Sequence, residues 1–328
     1  MTKTRRVPLI LALAAVLALC GAGHRALAQS YPAKPIHLVV PFAAGGITDI
    51  LARALGQRLS ESWGQQVVIE NKPGANSQVG AEHVAKAAPD GYTLLVSADT
   101  TFVMNPHLYA RPSYDPLRDF VAISGLGVSP QALVVHPAVP ARTLGELVAL
   151  AKQKPGEINY GTFGSGSSGH LNIELLTSLT GARFTAVHYK GAAPALTDVI
   201  GGHIQMIIVS IGLVAQPWQA GQLRVLGFGS SARLPQYPDV PTLAETLPGY
   251  QAASWYGLAA PAGTPREIVD KLSAETQRIF GEAAFRDKFL APNMIFSIAG
   301  PPEEFAARIR ADHAKWGKVI KAANVKVE

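Results

Sequence analysis

Cysteine is all but absent: the 328 residues contain one, Cys20. No intramolecular disulfide can form, and motifs that need paired thiols have no material. The HExxH pattern is missing, and the nine histidines are dispersed, with His24 near the N-terminus. No GxSxG frame occurs, so the strand-to-helix nucleophile elbow has no match. Long apolar runs are lacking too. The run at 7–20 has 14 residues, short of the ~20 that a membrane helix needs. An excess of one charge is also missing. The formal +6 includes Lys3, Arg5, Arg6 and Arg25; without residues 1–28 the count is 25 basic against 23 acidic residues, or +2. Dispersed cations at that balance exclude a nucleic-acid footprint.

The chain opens on a leader pattern. Lys3, Arg5 and Arg6 form a basic n-region, 7–20 an apolar core, and Ala26-Leu27-Ala28 a small-x-small cleavage site. Cleavage after Ala28 leaves 300 residues and removes Cys20. Leu19 stands where a lipoprotein leader carries a small residue, and Arg5-Arg6 also matches a twin-arginine signal. The sequence thus predicts an exported protein. Three hundred residues exceed one ordinary core, which predicts two domains of roughly 100–150 residues.

The remaining chain is organised around residues 36–49. An apolar strand at 36–40 meets Pro41-Phe42-Ala43-Ala44-Gly45-Gly46, and an apolar-periodic helix over 49–62 follows. The first amides of a helix lack intrahelical partners, and Gly45-Gly46 lets an outside group approach them, which suits an anion. The same glycines also suffice merely to close a turn. Strands at 67–70 and 93–97 and a helix at 78–87 continue the alternation, with a polar loop at 98–105. A second run has strands at 132–135, 158–160, 185–187, 206–209 and 224–228. Its helices lie at 143–152, with Thr143 as N-cap, at 171–179, and up to Ile200 with Pro194 at the first position. Such alternation predicts an α/β protein with parallel-type sheets covered by helices. Beyond Tyr250, a strand-like passage at 254–259 precedes three helices, at 264–280, 282–290 and 302–322. They have no equal number of strands and are expected to cover the first lobe. That gives a discontinuous lobe 1 (29–129 with 250–328), a lobe 2 (130–249), and a hinge of two crossings near Ser129 and Gly249.

The loop Gly161-Thr162-Phe163-Gly164-Ser165-Gly166-Ser167-Ser168-Gly169-His170 contains GxGxxG between a strand and a helix. No acid lies about 20 residues further on to hold a ribose, since Asp198 comes 29 after Gly169. No cofactor is therefore expected, nor a metal. Serine hydroxyls and helix amides in such a loop are able to accept a carboxylate without a cation; a polar surface loop is the plain alternative. His170 and His188 either cap their loops or donate to a ligand. Trp63, Trp218 and Trp316 read as packing residues, and Trp255 as a tryptophan near a cleft.

These residues carry a resemblance. Tyr31-Pro32-x-Lys34-Pro35-Ile36, Val40-Pro41-Phe42-Ala43-Ala44-Gly45-Gly46-x-x-Asp49, Glu70-Asn71-Lys72-Pro73-Gly74-Ala75 and Ala85-Lys86-Ala87-Ala88-Pro89-Asp90-Gly91-Tyr92-Thr93-Leu94-Leu95 look like the tripartite tricarboxylate transporter substrate-binding proteins, the Bug or TctC family. Tyr189-Lys190-Gly191-x-x-Pro194-Ala195-Leu196-x-Asp198 and Asp239-Val240-Pro241-Thr242-x-x-Glu245 extend it over the whole mature chain. The resemblance implies a two-lobed, type II-like periplasmic binding protein, a monomer and not an enzyme. It implies capture of a small carboxylated solute by hinge closure and delivery to integral membrane subunits. By matching motif it points to Phe42, Ala43, Gly46, Thr48 and Asp49, and to Ser165, Gly166, Ser167 and His170. Asp49 also reads as an ordinary N-cap. Asn76, Ser97, Thr100, Tyr189, Lys190, Gly191 and Val209 complete the expected lining.

Two departures bear on the ligand. The family usually has two glycines after Lys72-Pro73-Gly74-Ala75, where this chain has Asn76-Ser77. It often has an aspartate where Val209 stands. A pocket without that acid predicts a ligand with no cationic amine: a di- or tricarboxylate or an aromatic acid. Two rival readings are an exported serine hydrolase using residues 165–168 and a protein that presents its ligand to a membrane sensor.

Overall fold

The computed structural model describes residues 31–323, so the leader read at 1–28 lies outside the described residues. Strand β1 (Ile36–Val40) runs between β2 (Val67–Asn71) and β3 (Thr93–Ala98), parallel to both. Helix α1 (Ile47–Trp63) links β1 to β2 and α2 (Gln78–Ala85) links β2 to β3. Ile47, Leu51, Leu55 and Leu59 recur at helical spacing and are all buried in α1. Each such side chain contributes about 1.5–3 kcal/mol, and Gly64 in the left-handed conformation ends the helix.

Strand β4 (Phe120–Val135) is 16 residues long, and α3 (Leu144–Gln153) follows it. Thr143 caps α3 by accepting the Glu146 N–H at 3.2 Å. Next, β5 (Asn159–Thr162) lies between β6 (Thr185–His188) and β7 (Met206–Ser210), parallel to both. Helices α4 (Ser168–Thr180) and α5 (Ala192–Ile200) make the crossovers, and α6 (Ile211–Gln219) leads from β7 to β8 (Arg224–Phe228). The parallel strands are those that the alternation predicts; what joins them is antiparallel. The front of β4 pairs with β9 (Ala253–Pro261), and from Gln131 on the same strand pairs with β7 and β8. One strand therefore serves both sheets, in the order β2-β1-β3-β9-β4-β7-β5-β6. The Gln131 N–H donates to Ala252 O (3.0 Å) and Gly229 N–H to Gln131 O (2.7 Å), which ties the crossing together.

Helices α7 (Arg266–Gly281) and α8 (Pro302–Ala323) return to the first sheet. Phe305 and Ile309 of α8 share a buried cluster with Val39, Leu95, Phe102 and Trp255. Three expectations need correction. Of residues 98–105, Ala98 ends β3 and 99–105 are helical rather than a polar loop: a π-turn at Thr100–Met104 runs into a short helix at Asn105–Leu108, because Phe102, Val103 and Met104 are drawn fully into the core. Helix α5 starts at Ala192, so Pro194 takes its third position, still among the amides that lack partners. The helix expected at 282–290 is a short piece, Ala283–Phe285, and a π-turn, Arg286–Leu290.

Candidate functional site

The C-terminal ends of β1 and β5 face each other across a cleft whose floor is the β4–β9 pair. Ala43 N–H donates to Lys190 O across it at 3.2 Å. Contact is that close because residue 191 is glycine: a Cβ there would lie 3.0 Å from the Ala43 Cβ. Behind this contact lies a narrow chamber. Phe42, Ile47, Phe163, Val209 and Leu213 give it apolar walls, and Gly46, Thr48, Gln131, Ser168, Ser210, Ser254 and Tyr256 supply its polar groups. No side chain in this lining carries a formal charge at neutral pH.

Helix α1 enters the chamber by its N-terminus. Gly46 is the N-cap, extended and without a side-chain cap bond, and the first residues of the helix, Ile47 and Thr48, whose amides have no intrahelical partner, line the chamber. Asp49 turns back on its own loop, accepting from Gly45 N–H (3.0 Å), Arg53 Nε (2.9 Å) and Asn71 Nδ2 (3.0 Å). Burial opposes its ionisation, but these donors outweigh it and hold the carboxyl below its usual range. Asp49 thus shapes the loop and does not line the chamber.

The floor is a hydrogen-bonded network. Gln131 Nε2 donates to Ser254 Oγ (2.8 Å) and Ser168 Oγ (3.2 Å), these two hydroxyls lie 3.0 Å apart, and Asn172 Nδ2 donates to Gln131 Oε1 (2.7 Å). Ser210 and Tyr256 share a bond of 2.8 Å. Burial pushes the Tyr256 phenol well above its usual value, so it stays protonated. Trp255, expected near a cleft, lies on the other side of β9. It stacks on Phe102 at 5.8 Å and donates to Asp312 at 2.7 Å, because alternate residues of a strand face opposite ways. Its neighbours Ser254 and Tyr256 are the ones that reach the chamber.

Of the residues expected from sequence, the chamber gathers Phe42, Ala43, Gly46, Thr48 and Val209. Asn76, Ser165, Tyr189 and Lys190 line a separate outer hollow, reached past Phe163, which borders both spaces. Gly191 holds the mouth as described. Ser97 bonds Thr101, and Thr100 accepts the Ser168 N–H across the cleft at 3.2 Å. Ser167 caps α4, accepting the His170 N–H at 3.4 Å, and Gly166 N–H donates to His170 Nδ1 at 2.8 Å. Burial, with His188 beside it, pushes the His170 imidazole down to about 4. His170 is therefore neutral, and its Nδ1 is taken up by the Gly166 amide. Among the described residues no cluster of three or more His, Cys, Asp or Glu could hold a metal.

Ala75, Asn76 and Ser77 have φ of 44°, 49° and 76°. The left-handed backbone is what the family's glycines would supply, and here polar side chains anchor it: Asn76 Nδ2 donates to Asn105 (2.8 Å) and Ser77 bonds Thr101 (2.7 Å). Gly164 makes room for this loop, since a Cβ there would meet Asn76 Oδ1 at 2.7 Å. Sequence reasoning missed Gln131, Ser210, Ser254 and Tyr256. Only the period of two in β9, Ser254 and Tyr256 against Trp255, could have pointed to any of them.

Beneath Thr100, Asp99 is buried and bonds the Thr100 N–H at 2.7 Å. Burial lifts its carboxyl to about 7; bonds from the Thr100 and Trp255 amides hold it back, and nearby Asp312 adds to the rise.

Comparison with known proteins gives a consistent set. The model of the tripartite tricarboxylate transporter family receptor matches residues 51–325. Protein BugT of Bordetella pertussis is 35% identical over 303 residues, 92% of this chain and 93% of the relative. Rpa4515 of R. palustris, solved with adipate, is 36% identical at a TM-score of 0.86, over 90% of this chain and 98% of that one. MatC of Rhodopseudomonas palustris, with bound malate, is 31% identical at a TM-score of 0.84, over 88% of this chain and 100% of that one.

Proposed function

Because the chain belongs to the tripartite tricarboxylate transporter receptor family, we propose that it takes up a small carboxylate in the β1–β5 cleft and holds it unaltered for membrane subunits of a carrier. The observation that carries this is the make-up of the chamber. The unpartnered amides at the start of α1 and the floor hydroxyls offer donors, and no charged side chain lines the space. A buried carboxylate without such partners would cost several kcal/mol. Relatives solved with adipate and malate support the ligand class. With Val209 in the wall and no acid in the lining, the ligand has no cationic amine. The working site is the periplasm and the working form a monomer. The lobes are 29–129 with 250–328, and 130–249; they close about the β4–β9 crossing, the ligand shifting the population toward the closed form. No bond of the ligand is broken; the Gly166 amide on His170 Nδ1, next to the loop's serines, supports this reading.

The test removes one donor and leaves the helix. Ile47 is the first residue of α1, a position that suits proline, and Ile47→Pro deletes the amide there. Calorimetry with adipate, malate and benzoate should show micromolar or tighter binding of at least one to the native chain and about a tenfold loss in the variant. Equal affinity in the two proteins would overturn the role of the helix terminus.

A further inference from the structure

The floor network has a direction, and one residue sets it. Asn172 Nδ2 donates to Gln131 Oε1, which turns the other end of the Gln131 amide, with its two protons, toward Ser168 and Ser254. Both serines must accept there. They also bond each other, which uses one of their two hydroxyl protons. One proton is left over, and its serine has both lone pairs filled, by Gln131 and by the other serine. That hydroxyl can only donate. Ser210 and Tyr256 likewise share one bond between two hydroxyls, leaving a second spare proton. Nothing in the chamber's lining is an anion that could take either proton. Both protons are thus open to an acceptor that a ligand brings, as are the first amides of α1, which have no intrahelical partner.

We propose that Gln131 is a positioning residue that fixes the polarity of this floor and so selects a carboxylate over neutral isosteres such as the primary amide. Its amide spans the cleft, linking Ser168 at the start of α4 to Ser254 on β9, and its backbone sits at the β4 crossing. An incoming carboxylate is acceptor-only and matches the spare protons. A carboxamide replaces one of the two acceptor oxygens by a donor and so meets one spare proton fewer. Reversing the Gln131 end of the network turns both serine protons away from the ligand. Gln131→Glu does so directly, since a carboxylate takes a proton from each serine while still accepting from Asn172. Asn172→Asp does so from outside the chamber, since an acceptor at 172 rotates the Gln131 amide and presents its oxygen to the serines.

This inference rests on the carboxylate reading above, and one titration set separates the two. Adipate, malate and benzoate, each beside its amide, are titrated into the native chain and both variants by calorimetry, with circular dichroism as a check on folding. The native chain should favour the acid of whichever pair binds. Both variants should lower the acid-to-amide affinity ratio by roughly 10- to 100-fold, the worth of a hydrogen bond to a charged group. If the native chain binds none of the acids, the carboxylate reading fails. If it binds one and the ratio is unchanged in folded Gln131→Glu or Asn172→Asp, the polarity role fails and the ligand class stands. A loss shared equally by acid and amide means that Gln131 only packs, and overturns the proposal as well.

Discussion

Replacing Asp99 by asparagine tests the electrostatics under the cleft. In the folded chain its carboxyl titrates near 7 instead of 3.8, chiefly through burial. Between those values the native state holds a proton that the unfolded chain has released. Stability therefore falls as pH rises, by about 1.4 kcal/mol per pH unit, and levels off above 7. The loss is complete near pH 8 and absent below pH 4. Across pH 5 to 8 it amounts to about 3 kcal/mol at most, or roughly 6 °C in melting temperature for a chain of this size. The asparagine side chain keeps an oxygen for the Thr100 amide and cannot ionise. Melting curves of native chain and variant, recorded every half unit from pH 4.5 to 8.5, should converge at the acid end. They should separate toward the alkaline end, with the variant the more stable. Parallel curves would refute the placement of Asp99 in a dry site.

Two further outcomes follow from the geometry. Ala75 sits at φ 44° without the anchoring bonds of Asn76 and Ser77; Ala75→Gly should relieve about 1–2 kcal/mol of strain and return about half of it to unfolded-state entropy, a net gain visible in denaturant midpoints. A lower midpoint would contradict the left-handed turn. Because no charged side chain lines the chamber, the affinity for a carboxylate should change less than threefold, to order of magnitude, between 50 and 500 mM salt; a steep linear fall on a log–log plot would mean that a cation has been overlooked.

The sequence made local features legible and long-range ones not. β1 and β8 have the bounds that their apolar runs predict, and Thr143 caps α3, because a strand core or a cap is decided within a few residues. The front of β4 escaped because Gly125, Gly127 and Pro130 break its strand signature; pairing with β9, over 120 residues away, makes it a strand. Helix α6 escaped because Pro217 lies inside it. For the site the division is similar. The loop after β1 announces itself by composition, and so does the Gly-rich loop, but of its serines it is Ser168 that lines the chamber, not the expected Ser165 and Ser167. Gln131, Ser210, Ser254 and Tyr256 have ordinary neighbours and acquire meaning only when three strands bring them together. The outer hollow shows the converse: Asn76, Ser165, Tyr189 and Lys190 stand in conspicuous motifs, and Phe163 separates them from the inner space.

The donors of the chamber are divided between its two banks. The α1 amides belong to one, Ser168 and Ser210 to the other, and Gln131 lies at the seam where they meet. Parting the banks by a few ångströms dissolves the whole grip at once, with no ion pair to tow the solute along on either side. On the proposed closure, loading and unloading are one movement run in opposite directions, and a wedge that parts the mouth between Ala43 and Lys190 should empty the protein.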